Sequence, residues 1–324
     1  MNKRYVFQCN ATVQSGLGHL TRCINIAKAM TEFIKTHDIV FLGEYTPFAM
    51  SLLTENSFSI FSKDTITYQL NDILILDDYE LNQSDVDSLR IMFNKVIKID
   101  DFNDHDLRSF DLVINYRYNA EKENYSCKST CLGMSYFPFS ESLIKIREKK
   151  ESLPLNDFEH VFVFIGGTDR NNSGYKLIQI LDRILVNKHI YLIDDEYSSC
   201  SPPYSKNNHI AYLPFIRDIS SYYEKADVLL SGGGGSKYEA AFCGIPNAVI
   251  SQTEEQAIDT QIFADNHLTF DLGLIGDLDI KPKKVESLLK AFLCYEKLNQ
   301  IKSLSYNEFC IHSTKRLVKK IIKV

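Results

Sequence analysis

The chain alternates short, almost wholly apolar runs with longer stretches in which apolar residues return every three or four positions. In the first half the apolar runs Tyr5–Cys9, Asp38–Leu42, Asp72–Leu76, Lys95–Ile99 and Asp111–Asn115 predict strands. Between them the pattern predicts helices over His19–Lys35, Pro47–Glu55 and Asn82–Phe93. Leu20, Cys23, Ile24, Ala27 and Met30 fall on one face of the first of these helices. Strands that are apolar on both sides and separated by helices imply a parallel sheet covered on both faces.

The stretch 141–159 breaks this rhythm. It is charged, carries Lys149-Lys150-Glu151 and Pro154, and lacks a clear strand, so it is expected to link a first domain, 1–140, to a second, 160–310. The second half restarts with strand His160–Ile165, turn Gly166-Gly167, helix Gly174–Val186 and strand His189–Ile193. Strands follow at His209–Leu213, Asp227–Ser231 and Asn247–Ile250, with helices at Asp218–Lys225, Ser236–Phe242 and Glu255–Asn266. Two such halves predict an α/β protein of two Rossmann-like domains facing a cleft, the glycosyltransferase-B architecture. The basic, amphipathic stretch "HSTKRLVKKIIKV" makes residues 311–324 a closing helix packed on the body, in preference to a membrane contact.

Composition narrows the function classes. A length of 324 residues suits two domains, and 44% hydrophobic with 24% charged residues is ordinary for a globular chain. A formal net charge of −6 leaves no basic excess for a general nucleic-acid binder. No apolar run approaches the roughly 18 residues of a membrane span, and Tyr5–Cys9 reads as a strand where a signal peptide would still be apolar helix. A cytoplasmic protein without stable membrane insertion is therefore expected; the sequence is silent on oligomeric state, for which a monomer is the default expectation. The eight cysteines are scattered and read as reduced thiols; Cys127 and Cys131 lie four apart with nothing to complete a zinc site, so no metal is expected.

The strongest local signal is "ADVLLSGGGGSKYEAAFCGIPNAVI", a strand running into Gly232–Gly235 with a helix beginning near Ser236. Glycine lets backbone approach a ligand, and the first amides of a helix attract an anion, so a diphosphate is the expected guest. Glu239, one turn on, suits ribose hydroxyls. Gly166-Gly167-Thr168-Asp169 offers a second wall to that site, with Asp169 either part of it or a helix cap. In "QSGLGHLTRC", Gly16 and Gly18 lie between strand and helix, but Thr21 stands where a dinucleotide fingerprint needs its third glycine. His19 then falls at a helix N-terminus, where a positive helix end favours a neutral imidazole able to act as a base, or it merely starts the helix. Asp77-Asp78-Tyr79 and Asp100-Asp101 close two strands and suit sugar hydroxyls or a water. Asp104-His105-Asp106 imitates a D-x-D metal motif but reads as a polar turn.

Taken together, "GLGHLTRCINIAKAM", "LDDYELN", "KVIKIDDFNDHDLRSFDLVIN" and "FIGGTD" resemble, in order, segments of the PseG-type UDP-sugar hydrolases of pseudaminic acid biosynthesis. "LPFIRDISSYYEKADVLLSGGGGSKYEAAFCGIPNAVI" is similar to the UDP-binding region that these share with MurG-type glycosyltransferases. The resemblance implies removal of UDP from a 2,4-diacetamido-2,4,6-trideoxy sugar by water, with inversion and without metal or cofactor. It implies that His19 orients or deprotonates the water and that Tyr79, with Asp77, contacts the sugar or orders the water. Arg22 would support the first helix or the cleft. Gly233, Gly234, Gly235 and Ser236 would hold the diphosphate, Glu239 the ribose, and backbone near Phe215 and Ile216 the uracil.

The sequence departs from that family at two places. Glu255-Gln256 replaces the usual Asn-Gln; Gln256 can keep a sugar or phosphate contact, while Glu255 adds negative charge there. "YFPFSESL" lacks the arginine of the family's run before the second half. Three functions stay in play: hydrolysis, transfer of the sugar to a hydroxyl acceptor by an inverting glycosyltransferase, and binding of a nucleotide sugar without catalysis. The last is disfavoured by His19 and Tyr79 standing beside an intact glycine-rich site.

Overall fold

A computed structural model of the chain describes residues 3–62, 64–79, 82–103, 106–150, 154–167, 169, 171–202, 204–216 and 218–324. The chain divides into two compact units, Met1–Ser140 with Cys310–Val324, and Glu141–Phe309.

The first unit is built on seven strands: β1 Tyr5–Cys9, β2 Ile39–Leu42, β3 Ser59–Phe61, β4 Ile73–Asp77, β5 Lys95–Ile99, β6 Leu112–Asn115 and β7 Thr130–Leu132. They form one parallel sheet in the order β3-β2-β1-β4-β5-β6-β7. Every residue of β1, β2, β4 and β6 is buried, as a sheet covered on both faces requires. Helices α1 Gly18–Met30, α2 Pro47–Glu55 and α3 Gln83–Met92 lie between the strands. Thr46 caps α2 with Pro47 in its first turn, and Asn82 with Asp85 forms a capping box on α3. Helix α1 has no side-chain cap, and it is the helix that carries His19. The C-terminal helix Ser313–Ile322 belongs to this unit; it buries Leu317, Val318 and Ile321, and Ser313 and Thr314 donate to the carbonyls of Phe137 and Phe139.

The second unit holds β8 His160–Phe164, β9 His189–Ile193, β10 His209–Leu213, β11 Val228–Gly232, β12 Asn247–Ser251 and β13 Phe270–Leu274. Their parallel order is β10-β9-β8-β11-β12-β13. Its helices are α4 Glu141–Lys149, α5 Ser173–Ile184, α6 Asp195–Ser198, α7 Ser220–Lys225, α8 Ser236–Phe242, α9 Glu254–Asp265, α10 Asp277–Ile280, α11 Pro282–Phe292 and α12 Tyr295–Glu308. In each sheet the strand order reverses once near the middle, between β1 and β4 and between β8 and β11. Crevices at the carboxyl ends of strands beside such a reversal are where ligands bind in doubly wound sheets.

Two expectations need correction. The stretch 141–159 is not wholly a linker, because α4 fills its first half and packs in the second unit. Glu141, Lys145, Glu148 and Lys149 lie on its outer face, while Leu143, Ile146 and Arg147 form a buried inner face. Strands β3, β7 and β13 were not foreseen: each lies at a sheet edge and is only partly buried, so none shows a continuous apolar run.

Arg147 explains why α4 docks so firmly. Its Nη1 donates to the carbonyl of Phe242 at the end of α8 (2.5 Å), and Nη2 to those of Tyr306 (2.5 Å) and Phe309 (3.2 Å). One guanidinium thus satisfies carbonyls at the ends of two helices that have no intrahelical donor left. We expect Arg147→Met to lower the stability of the second unit by about 3 kcal/mol, since buried carbonyls lose a charged donor. Lys145→Ala, on the exposed face of α4, should leave the urea midpoint unchanged.

Candidate functional site

The first cluster sits at the reversal between β1 and β4. Residue pairing puts Cys9, the last of β1, beside Asp77, the last of β4. The chain leaves β1 and reaches α1 through a loop in which Gly16 takes φ +70°, a conformation that favours glycine; Gly18 shows no such need. His19 enters α1 as its second residue, and its Nδ1 lies 2.7 Å from Asp77 Oδ1. One turn on, Arg22 grips the same carboxylate from Nε and Nη2, both at 2.5 Å, and Cys23 Sγ lies 3.5 Å from Oδ2. Arg22 Nη1 also donates to Asp101 Oδ2 and to Tyr116 Oη, each at 2.8 Å. The Tyr79 hydroxyl donates to Asp101 Oδ2 and accepts from Arg22 Nη2 at 3.2 Å. Its ring stands edge-on to that of His19, with centroids 4.4 Å apart.

The electrostatics follow from burial and pairing. Asp77 is fully buried, which opposes its charge, yet the Arg22 guanidinium, helped by His19, holds its carboxyl well below the usual carboxylate range. Asp101 is pulled down in the same way, burial being outweighed by Arg22 and by the Tyr79 hydroxyl. Burial pushes the phenols of Tyr79 and Tyr116 far up, against the opposing pull of Arg22. Because ionised Asp77 can only accept, Nδ1 is the His19 nitrogen that donates to it, and Nε2 is the ring nitrogen left for another partner. Asp77, expected with Tyr79 to contact the sugar or order the water, has both oxygens engaged by His19, Arg22 and Cys23. Arg22 is more than a helix support: it joins His19's partner to Tyr79, Asp101 and Tyr116. Asp100, adjoining Asp101, instead holds its own turn by accepting from the Asn103 amide (2.9 Å).

The second cluster sits at the reversal between β8 and β11. Gly166 takes φ +133° just after β8, beside Gly167. Asp169 accepts from the amides of Ser173 (2.9 Å) and Gly174 (2.6 Å), so it satisfies the first amides of α5 as a cap does. At the end of β11, Gly232 passes so near the Ile165 carbonyl that a Cβ would clash with its oxygen. At Gly233 a Cβ would press on Gln256, whereas Gly234 and Gly235 face open space. Ser236 then begins α8. Glu239 is half-buried there; burial raises its carboxyl, partly offset by the hydrogen bond from Tyr223 Oη at 3.1 Å.

Two predicted contacts are already committed within the fold. Gln256 Oε1 accepts from the Gln252 amide (3.0 Å), so that oxygen ties a turn together. The Phe215 amide donates to Asp195 (2.7 Å) and its ring stacks on Phe164, so that amide is already engaged. Glu255 is exposed in the first turn of α9. Lys237, unforeseen from sequence, is fully buried among these groups; its signal was a lysine one residue beyond Ser236, just past the glycine run. Asp104 and His105 of the D-x-D imitation lie outside the described residues. Among the described residues no group of three or more His, Cys, Asp or Glu side chains is arranged to hold a metal ion, and no helix is long and apolar enough to cross a membrane.

The two parallel sheets with reversed strand order define the glycosyltransferase-B class of fold. The chain superimposes on MurG of Acinetobacter baumannii with a TM-score of 0.71, at 15% identity, over 99% of this chain and 100% of that one. It superimposes on MnaA of S. aureus, solved with UDP, with a TM-score of 0.64, at 10% identity, over 98% and 95%. In sequence it is 26% identical over 263 residues to the Helicobacter pylori protein named pseudaminic acid cytidylyltransferase and UDP-2,4-diacetamido-2,4,6-trideoxy-beta-L-altropyranose hydrolase, covering 79% of this chain and 46% of that one. It is also 26% identical over 196 residues to the spore coat polysaccharide biosynthesis protein SpsG of Bacillus subtilis, covering 57% and 56%. The chain spans about half the length of the curated relatives it matches. No protein-family model matches it.

The lowered pKa values of Asp77 and Asp101 carry a sign that can be measured. Folded values below the unfolded one mean that the stability these groups contribute is full above about pH 4 and is lost as the pH falls through the folded values. Arg22→Met removes the group that depresses both. Urea midpoints taken between about pH 5 and about pH 2.5 should therefore fall more steeply for the unsubstituted protein than for the variant; parallel profiles would show that Arg22 does not set these carboxyls.

Proposed function

We propose that the chain is a UDP-sugar hydrolase: it cleaves the bond between the anomeric carbon of a 2,4-diacetamido-2,4,6-trideoxy sugar and UDP, with water as nucleophile and inversion at carbon. The observation that carries the reading is the 2.7 Å contact from His19 Nδ1 to buried Asp77 at the strand-order reversal. It orients the ring and reserves Nε2 for a proton, which is what a general base needs. In the reaction a water oxygen bonds to the anomeric carbon as the carbon–oxygen bond to UDP breaks. The water's proton passes to His19 Nε2, and the bonding electrons leave on the diphosphate.

In this reading the second unit holds the leaving group. Gly234 and Gly235 let backbone come close to the phosphates, and the first amides of the following helix, which lack intrahelical acceptors, donate to the developing charge. Glu239, already fixed through one oxygen by Tyr223, has the other to accept from a ribose hydroxyl. Tyr79 positions the His19 ring edge-on and presents its own half-exposed face to the sugar. The order of motifs resembling PseG-type hydrolases, and the hydrolase activity in the name of the Helicobacter pylori relative, support the choice of sugar and of water. The fold shared with MurG supports a second reading, in which an acceptor hydroxyl takes the place of water.

The deciding experiment incubates the protein with a UDP-2,4-diacetamido-2,4,6-trideoxyhexose without acceptor and follows UDP by mass spectrometry. Release of UDP and the free sugar is expected; release that waits for an added acceptor sugar would replace hydrolysis by transfer. His19→Ala should lower kcat by about 10²- to 10⁴-fold, the usual worth of a positioned general base, while UDP still binds. Normal turnover by His19→Ala would remove the base from the mechanism.

A further inference from the structure

A lysine is almost never buried completely unless its ammonium is paired, and Lys237 in the first turn of α8 is buried completely. Its Nζ lies 2.6 Å from Asp259 Oδ2 and donates to the Gly233 carbonyl at 2.6 Å and to Thr260 Oγ1 at 3.4 Å. These acceptors are themselves held. Both oxygens of Asp259 take the Tyr238 hydroxyl (2.9 and 2.8 Å), and Thr260 Oγ1 is 3.1 Å from Ser251 Oγ. The ammonium therefore ties the glycine turn to α9 and, through Ser251, to the end of β12.

The bond to Gly233 has a directional consequence. In a trans peptide the C=O of one residue and the N–H of the next point opposite ways. An ammonium that holds the Gly233 oxygen inward turns the Gly234 N–H the opposite way, at a residue that is exposed. A turn needed only for folding has no use for a buried charge there, because buried ion pairs often give no net stability over apolar packing.

We propose that Lys237 is a positioning residue for diphosphate recognition, acting through the Gly233–Gly234 peptide that it locks with the N–H presented to the ligand. The inference rests on the reading of this turn as the UDP-holding element.

The test is isothermal titration of UDP and of uridine, which shares the nucleoside but has no phosphate. Lys237→Met leaves Asp259 buried without its cation, so Lys237→Met/Asp259→Asn is the second variant; it removes both charges and leaves an acceptor for Tyr238. Loss of one charge-supported hydrogen bond is expected to weaken UDP by about 10- to 100-fold, with uridine affinity and far-UV spectrum unchanged. Unchanged UDP affinity, or an equal loss for UDP and uridine, overturns the positioning role, and failure of both variants to fold assigns Lys237 to folding and overturns it too. If the unsubstituted protein binds no UDP, the UDP reading itself fails and takes this inference with it.

Discussion

Asp77 is a carboxylate removed from water at the end of a central strand, and a charge in that position is tolerable only where fixed partners replace its hydration. Arg22 provides them, meeting both oxygens in the two-pronged geometry that a guanidinium and a carboxylate share. Most of the first unit's candidate site follows from that pairing. It sets the rotation of α1 about its axis, since Arg22 must face the strand end. Three residues earlier on the same helix face, His19 is then brought onto the same carboxylate. The far side of the guanidinium gathers Asp101 from the end of β5 and Tyr116 from beyond β6. Strand ends that are distant in sequence are thereby coupled to one imidazole.

The second unit solves a comparable problem by omitting side chains. At Gly232 the backbone runs against the Ile165 carbonyl, and at Gly233 it packs against Gln256, so both glycines serve internal closeness. The next two, Gly234 and Gly235, touch nothing on their Cβ side and remain available to a guest. A run of four glycines thus divides into a structural half and a presenting half. Gln252 reinforces the division by donating to the Ile165 carbonyl, while its own amide is held by Gln256.

How much of this could be read from the chain depended on whether the cause was local. Apolar runs and helical spacing revealed the central strands and most helices, because burial on both faces writes a continuous apolar stretch. Edge strands such as Ser59–Phe61 are half-exposed and left no such stretch. Glu141–Lys149 looked like a linker because charge dominates its composition, although Leu143, Ile146 and Arg147 share a buried face. His19 and the glycine run stood out as unusual residues at strand-to-helix junctions. The roles of Asp77, Gln256 and Lys237 were hidden for a different reason: each is defined by a partner on another element, and nothing local distinguishes a carboxylate aimed at a sugar from one aimed at an arginine.

The same partnerships decide which group of the first cluster can receive a proton. Arg22 is permanently protonated. Tyr79 and Tyr116 hold theirs, since burial raises both phenols and so keeps them neutral. Asp77 and Asp101 are ionised and pulled below the ordinary range, which makes them poor bases at neutral pH. What remains in the cluster is His19 Nε2, whose ring is aligned through Nδ1. Arg22 also faces two carboxylates with a single positive charge, so one negative charge in the group is not matched by it. Arg22 thus suppresses both carboxylates as competing bases while leaving one of their charges unmatched.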